Sequence, residues 1–452
     1  MTSSLQNDGA LALAERTVPR YTSYPTAPQF SASVGPDTYA GWLDALPRDA
    51  RLSLYIHVPF CTELCFYCGC NTRAVRKRAP VDAYAERLLD EIALLGSLRG
   101  LKLTHLHWGG GTPSILGPQW LETIAGRLAS VFNLSDLKEH AIELDPRRLD
   151  RPMVRTLRAI GVNRASLGVQ DASPQVQRAI GRVQPFEMVE RAAFWLREAG
   201  IANLNVDLMY GLPTQTARDV ARSAELAAGL GAQRLALFGY AHVPWFKANQ
   251  KQIDEAALPD SAARLEQAKV AEDTLLSFGY RAIGLDHFAL PSDDLAVAAR
   301  EKRLHRNFQG YTTDTADALV AFGASAISEF PQGFAQAARD TLAWTQTIAG
   351  RRSPVVRGLA TTAEDRMRGA IIEQIMCNFS ADIGAIASRH GFNSGMLEDS
   401  LLRLQPLIAA GLASIEGSTV RVPQEHRLFL RSVACAFDGH YTGAKNRHAR
   451  AI

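Results

Sequence analysis

The sequence predicts an α/β fold built on a parallel sheet. Two observations carry that prediction. Strand-like and helix-like segments alternate six times from residue 51 onward. Each strand-like segment ends in polar or glycine residues. Strands that alternate with helices pair through right-handed crossovers, which puts all their carboxyl ends on one face. A content of 47% hydrophobic and 21% charged residues supplies an ordinary core and surface for such a fold.

Residues 1–50 are mixed and turn-rich. The stretch VPRYTSYPTAPQF holds three prolines, which rule out a regular helix, so 1–50 reads as an arm packed across the main domain. LSLYIHVPF is the first strand and VDAYAERLLDEIALLG, apolar at helical spacing, the first helix. LTHLHWGGG is a strand ending in glycines, followed by the helix PQWLETIAGRLASVF. HAIELDP and PMVRTLRAIG form the third pair, and NRASLGVQ and FEMVERAAFWLREAG the fourth. LNVDLMYGL and ARDVARSAELAAGLG are the fifth, and QRLALFGYAH is the sixth strand. These units span 51–290. They either close partly into a barrel or stay open as a doubly wound sheet, and periodicity alone does not separate the two. In both, the site lies at the carboxyl ends of the strands. Those ends carry His57, Gly109 to Gly111, Glu143 with Asp145, Gln170, Asp207, and Tyr240 with His242.

After about residue 290 the rhythm fades. LHRNFQGYTT and AFGASAISEF read as irregular, so 291–360 is expected to be a loop-rich connection covering the site. Residues 361–452 are mostly helical and close with ASIEGSTVRVP, two β-like runs around Gly417. Helices with a terminal hairpin predict a small winged-helix-like domain. The tail GAKNRHAR is basic and reads as frayed.

The net charge of +3 is too small to argue for nucleic acid by itself. No apolar run is long enough to span a bilayer. The N-terminus has acidic residues and no cationic start before an apolar stretch, so it is not a secretory signal. The chain is therefore expected in the cytoplasm, where structural disulfides are rare. With no heptad pattern or sticky strand, the default expectation is a monomer.

Four of the six cysteines fall in CTELCFYCGC: Cys61, Cys65, Cys68 and Cys70. Cys377 and Cys435 are isolated and read as buried apolar residues. Compartment argues against disulfides. Structural zinc wants four ligands, usually from two separated pairs, and no second pair exists, although one loop could wrap all four thiols round the ion. An iron–sulfur cube fits the spacing better. Three thiolates hold three irons and leave the fourth open, as a catalytic centre requires.

CTELCFYC also resembles the CxxxCxxC motif of the radical S-adenosylmethionine enzymes, with an aromatic residue just before the third cysteine and GGGTP after the second strand. CGCN, RYTSYPTAPQF, LHWGGGTP, ELDPR, LGVQD, VDLMYGLP, YAHVP, GLDHFAL, LHRNFQGYTT and SAIS together resemble the oxygen-independent coproporphyrinogen III oxidases. The resemblance implies a partial (β/α)6 barrel and a [4Fe–4S] cluster on Cys61, Cys65 and Cys68. It implies two bound S-adenosyl-L-methionine molecules. The first meets Tyr55, Gly111, Glu143 and Ile327; the second meets Tyr67, Thr112, Pro113, Gln170, Arg182, Asp207 and Ala241. The residue types suit this: carboxylates accept hydrogen bonds from amino and ribose groups, and Arg182 suits a carboxylate. The glycines let backbone approach a ligand closely. His57 is either a structural strand-end residue or a group near the cluster that moves a proton. Cys70 is expected to serve function without ligating the cluster, since related heme-binding proteins tend to carry a bulky apolar residue there.

The implied reaction converts two propionates of coproporphyrinogen III to vinyl groups, giving protoporphyrinogen IX, by a 5′-deoxyadenosyl radical. The electron donor is not legible. Basic residues should line the pocket of a substrate with four carboxylates, and the arm, with Arg20, is the candidate cover. Two rivals share the motifs: a heme-binding chaperone and a radical enzyme acting on heme. No nucleic-acid partner is expected.

Overall fold

The computed structural model describes residues 12–443. Twelve strands form one sheet. They are β1 (Arg51–Val58), β2 (Lys102–Gly110), β3 (Glu139–Leu144), β4 (Arg164–Gln170), β5 (Asn203–Tyr210), β6 (Arg234–Gly239), β7 (Arg281–Ile283), β8 (His287–Ala289), β9 (Ala318–Phe322), β10 (Ile327–Phe330), β11 (Gly333–Ala337) and β12 (Val355–Ala360). Their order is β12-β11-β10-β9-β1-β2-β3-β4-β5-β6-β8-β7. From β9 to β6 neighbouring strands are parallel, and the outer strands on both sides are antiparallel. The six strands read from periodicity are thus all present, side by side in chain order. The sheet is open, with β12 and β7 at its two edges.

The region 291–360 departs from its reading as loop. Part of AFGASAISEF is β9 and β10, and β9 pairs parallel to β1 from Leu52↔Ala318 to Ile56↔Phe322. All five β9 residues are buried. A short strand covered on both faces has no alternation to betray it, and the small residues after it resemble a turn. LHRNFQGYTT likewise contains a hairpin, His305–Asn307 against Gly310–Thr312.

Helices form where apolar spacing and end signals agree. The helix Ala79–Leu94 starts with a proline in its first turn, where no intrahelical N–H partner is lost. It buries Val81, Tyr84, Ala85, Leu88 and Ile92, one stripe at helical spacing. Glu91 shares that buried face and accepts hydrogen bonds from Gly323 N (2.7 Å) and Trp344 Nε1 (3.3 Å). Burial pushes its carboxyl up to about 8. The fold therefore binds a proton that the unfolded chain releases near 4.5, and stability must fall as pH rises between those values. Glu91→Gln should remove that slope. Between pH 5 and 8 the wild-type chain should lose on the order of 4 kcal/mol relative to the variant. Parallel melting curves at both pH values check this.

Beyond the sheet, the helix Ala363–Asn378 opens with a reciprocal cap between Thr362 and Asp365. The strand Ser380–Asp382, the helices Ile383–Arg389 and Glu398–Ala409, and the hairpin Ser414–Glu416/Thr419–Arg421 follow. The hairpin turns at Gly417, whose φ of 60° suits glycine. This is the helical, hairpin-ended unit expected from the sequence. Cys377 and Cys435 are buried, as expected. The arm ties this unit to the sheet. The Tyr21 hydroxyl donates to Asp438 (2.9 Å) and the Tyr441 hydroxyl to the Thr17 carbonyl (2.8 Å), while Ser31 pairs with Gly358 of β12. The basic tail from Ala444 lies outside the described residues. Among the described residues no helix is long and apolar enough to cross a membrane.

Candidate active site

The cysteine window leaves β1 directly and is closed at its base. Phe60 and Cys61 pair in parallel with Arg73 and Ala74, so the loop between them begins and ends at one point. The 247–250 stretch holds its backbone from the other side. Asn249 Nδ2 lies 3.0–3.1 Å from the carbonyls of Cys65, Phe66 and Cys68. Gln250 Nε2 donates to the Tyr67 carbonyl and Lys247 Nζ to that of Cys70, each at 2.8 Å. Loop carbonyls that water would otherwise solvate are thereby fixed.

Each of two thiols has its own donors. Cys61 Sγ lies 3.5 Å from Thr72 Oγ1 and 3.4 Å from Thr112 Oγ1. Cys65 Sγ faces two guanidinium groups, Arg182 Nη1 at 3.6 Å and Arg147 Nη2 at 3.8 Å. Both arginines are held by Asp145, at 3.3 Å and 2.7 Å. Burial raises the Asp145 carboxyl, but these two cations outweigh it and hold it below its ordinary value. A hydrogen bond from Cys70 lowers the Cys68 thiol, and the same bond raises that of Cys70. Cationic surroundings favour thiolate, the form that binds metal. Cys61, Cys65 and Cys68 line one cavity of about 640 Å³. Among the described residues, no three His, Cys, Asp or Glu side chains converge tightly enough for a single ion.

The glycines of β2 pack under this loop. A Cβ on Gly110, at φ +110°, would come within 2.6 Å of His57, and one on Gly111 within 2.4 Å of the Phe60 carbonyl oxygen. The close approach that requires glycine here is to the protein's own loop base. His57 Nε2 meets the Asn71 carbonyl at 2.9 Å and Nδ1 meets the Tyr55 hydroxyl at 3.0 Å. A carbonyl only accepts, so Nε2 carries the hydrogen; burial lowers the ring's proton affinity, so it is neutral and Nδ1 accepts from Tyr55. His57 thus props the loop from below.

The strand ends converge as the parallel sheet requires. Burial pushes the Glu143 carboxyl up, but hydrogen bonds from His107 Nε2 (3.2 Å) and Gly110 N (3.2 Å) hold it below its usual range. Asp207 behaves oppositely: burial raises it to about 7 despite bonds from Ser166 (2.9 Å) and Asn205 (3.0 Å). Gln170 sits at φ 68°, beside a register shift that bends the end of β4. Arg182 also donates to the Gly168 carbonyl at 2.7 Å.

Of the residues singled out from the sequence, Cys61, Cys65, Tyr67, Cys68, Cys70, Gly111, Thr112, Glu143, Gln170, Arg182, Asp207 and Ala241 line this one cavity. Tyr55, His57, Pro113 and Ile327 are not in its wall. Tyr55 and His57 lie beneath the loop, Pro113 is buried in the turn after β2, and Ile327 begins β10. Sequence reasoning missed Arg147, Lys247, Asn249 and Gln250. Arg147 stands inside the ELDPR motif and so had a local signal. The other three come from some 180 residues away and had none.

Known proteins are similar to this chain over nearly its full length. Residues 55–227 match the radical SAM superfamily. An oxygen-independent coproporphyrinogen III oxidase of Bradyrhizobium diazoefficiens is 46% identical over 99% of this chain and 100% of its own length. That of Paracoccus denitrificans is 43% identical over 98% of each. The solved coproporphyrinogen III oxidase of Escherichia coli, described as a radical SAM enzyme, is 37% identical and superposes with a TM-score of 0.88 over 93% of this chain and 98% of that one. The chain belongs to the oxygen-independent coproporphyrinogen III oxidase family of the radical SAM superfamily.

Proposed function

We propose that this chain decarboxylates two propionate side chains of coproporphyrinogen III to vinyl groups without oxygen, giving protoporphyrinogen IX in heme biosynthesis. Family membership brings a [4Fe–4S] cluster and S-adenosylmethionine. Together, when bound, they supply a 5′-deoxyadenosyl radical that abstracts hydrogen from the propionate. The observation that carries the reading is the shared cavity, where three thiols, two of them facing guanidinium or hydroxyl donors, stand beside Glu143, Gln170 and Asp207.

The chain's own residues divide the work. Cys61, Cys65 and Cys68 hold the cluster. The Thr72 and Thr112 hydroxyls and the Arg147 and Arg182 guanidinium groups stabilise sulfur charge on two of these ligands. Asn249 and Gln250 keep the loop backbone in place. Glu143, kept ionised, accepts from an amino group, and Asp207 with Gln170 meets ribose or amino groups. Two S-adenosylmethionine molecules are our finer reading, the first toward Tyr55, Gly111, Glu143 and Ile327, the second toward Tyr67, Thr112, Pro113, Gln170, Arg182, Asp207 and Ala241. Val18 and Arg20 of the arm border the same cavity. We place the reaction in the cytoplasm, with a monomer and a separate electron donor.

The test is an anaerobic assay of the iron-reconstituted chain with coproporphyrinogen III, S-adenosylmethionine and a reductant. Protoporphyrinogen IX and 5′-deoxyadenosine should appear together. An intact cluster that cleaves S-adenosylmethionine and leaves the porphyrinogen unchanged would refute the assigned substrate.

A further inference from the structure

The three cysteine thiols have unlike neighbours. Cys61 Sγ has two hydroxyl groups beside it, those of Thr72 and Thr112, and Cys68 shares a hydrogen bond with the Cys70 thiol. Cys65, only 7% exposed, faces cations instead: Arg182 Nη1 at 3.6 Å and Arg147 Nη2 at 3.8 Å. The two arginines reach it from different places. Arg147 lies in the turn Pro146–Arg148 after β3, and Arg182 follows the short helix Pro174–Ala179. Their side chains are 11% and 8% exposed.

One buried carboxylate gathers them. Asp145 directly follows β3, so the sheet fixes its backbone. Its Oδ1 accepts from the Arg147 backbone N–H (3.0 Å) and from Arg147 Nε (3.0 Å), and its Oδ2 accepts from Arg147 Nη2 (2.7 Å). Arg182 Nη2 and Nη1 lie 3.3 Å and 3.4 Å from the same two oxygens. Arg182 Nη2 also donates to the Gly168 carbonyl of β4. Two like charges side by side repel, and the carboxylate that both engage offsets that repulsion. A second carboxylate, Glu63, lies 3.7 Å from Arg147 Nη1, but it is 63% exposed and also pairs with Arg148 at 3.5 Å, so water screens it.

The cluster expected on Cys61, Cys65 and Cys68 gains one negative charge when it takes up one electron. A cation less than 4 Å from a buried ligand sulfur stabilises that charge far more than an exposed one does. Hydrogen bonds to sulfur and local net charge set the potential of such clusters, and groups behind the ligands tune them. We propose that Asp145 is a positioning residue that holds the Arg147 and Arg182 guanidinium groups against the Cys65 sulfur, and that these groups raise the reduction potential of the cluster. This rests on the reading under Proposed function for the cluster, and not for the porphyrinogen.

The experiment titrates the iron-reconstituted full chain anaerobically with dithionite in the presence of mediator dyes, and counts the reduced cluster by its EPR signal. Arg182 is left intact because it is also read as a cofactor contact. In Arg147→Gln the ratio of reduced to oxidised cluster at a fixed potential should fall about tenfold, which is about 59 mV for one electron. Arg148→Gln, next in the chain but 45% exposed and paired with Glu63, should leave the midpoint where it is. Equal midpoints in wild type and Arg147→Gln, or an equal fall in Arg148→Gln, overturn the inference. Asp145→Asn tests the positioning. Loss of a negative charge by itself raises the midpoint, whereas release of the guanidinium groups lowers it; a fall is expected, and a rise overturns the role of Asp145. Should a variant not fold, wild type labelled with [15N]arginine decides the contact: pulsed EPR of its reduced cluster should show 15N couplings, and their absence overturns it. A chain that assembles no cluster overturns the reading under Proposed function together with this inference. An assembled cluster whose midpoint does not move in Arg147→Gln overturns this inference alone.

Discussion

Cys61→Ala, Cys65→Ala and Cys68→Ala each lose iron and both products together, whereas Cys70→Ala keeps its iron. Each of the three thiols has a defined place in the closed loop, and two have dedicated donors. Removing one leaves an iron without its protein ligand. Turnover should fall by about a thousandfold or more, equivalent to about 4 kcal/mol or more of lost transition-state stabilisation. Cys70 lines the same cavity as Cys61, Cys65 and Cys68. Its alanine variant should lose vinyl product while retaining the iron and sulfide content of the wild type. Iron and sulfide analysis beside the two-product assay separates these cases. A Cys70 variant that loses iron would make it a ligand and refute its assignment here.

Gly111→Ala should be nearly as damaging, for a reason of space alone. Gly111 is outside the left-handed region, so its backbone would accept alanine. The new Cβ, however, would sit 2.4 Å from the Phe60 carbonyl oxygen and 2.6 Å from Thr72 Oγ1. Phe60 immediately precedes Cys61, and its carbonyl receives the Thr112 N–H at 2.8 Å. Backbone must move, and it carries the first cysteine with it. A displacement of about 1 Å is enough to cost about a hundredfold in rate. The expected readout is reduced iron incorporation with unchanged helix content by circular dichroism. Gly96→Ala, where a Cβ meets nothing within 4 Å, is the control. Equal activity of the two variants would show that the loop base tolerates the shift.

Much of this was legible before any coordinates. Strands β1 to β6 alternate with helices because a parallel sheet covered by helices imposes two distinct periods on the chain. The carboxyl ends of parallel strands share a face, so Glu143, Gln170 and Asp207 were expected together, and they line one cavity. Cys61, Cys65 and Cys68 needed no fold at all, because only five intervening residues separate them and keep them on one loop.

The sequence by itself determined the α/β architecture, the cysteine loop and the residues at the strand ends, since each is a property of one segment and its immediate neighbours. Tertiary structure alone decided the rest. β9 became the seventh parallel strand because β1 had an open edge to pair with, although its own residues show no alternation. Lys247, Asn249 and Gln250 became supports of a loop some 180 residues earlier. Five arginines spread from residue 20 to residue 431 came to face one space. Those contacts depend on how the strands pair and how the arm and C-terminal helices close over the sheet. Such closeness in space is set by packing of the whole chain, and no local period records it.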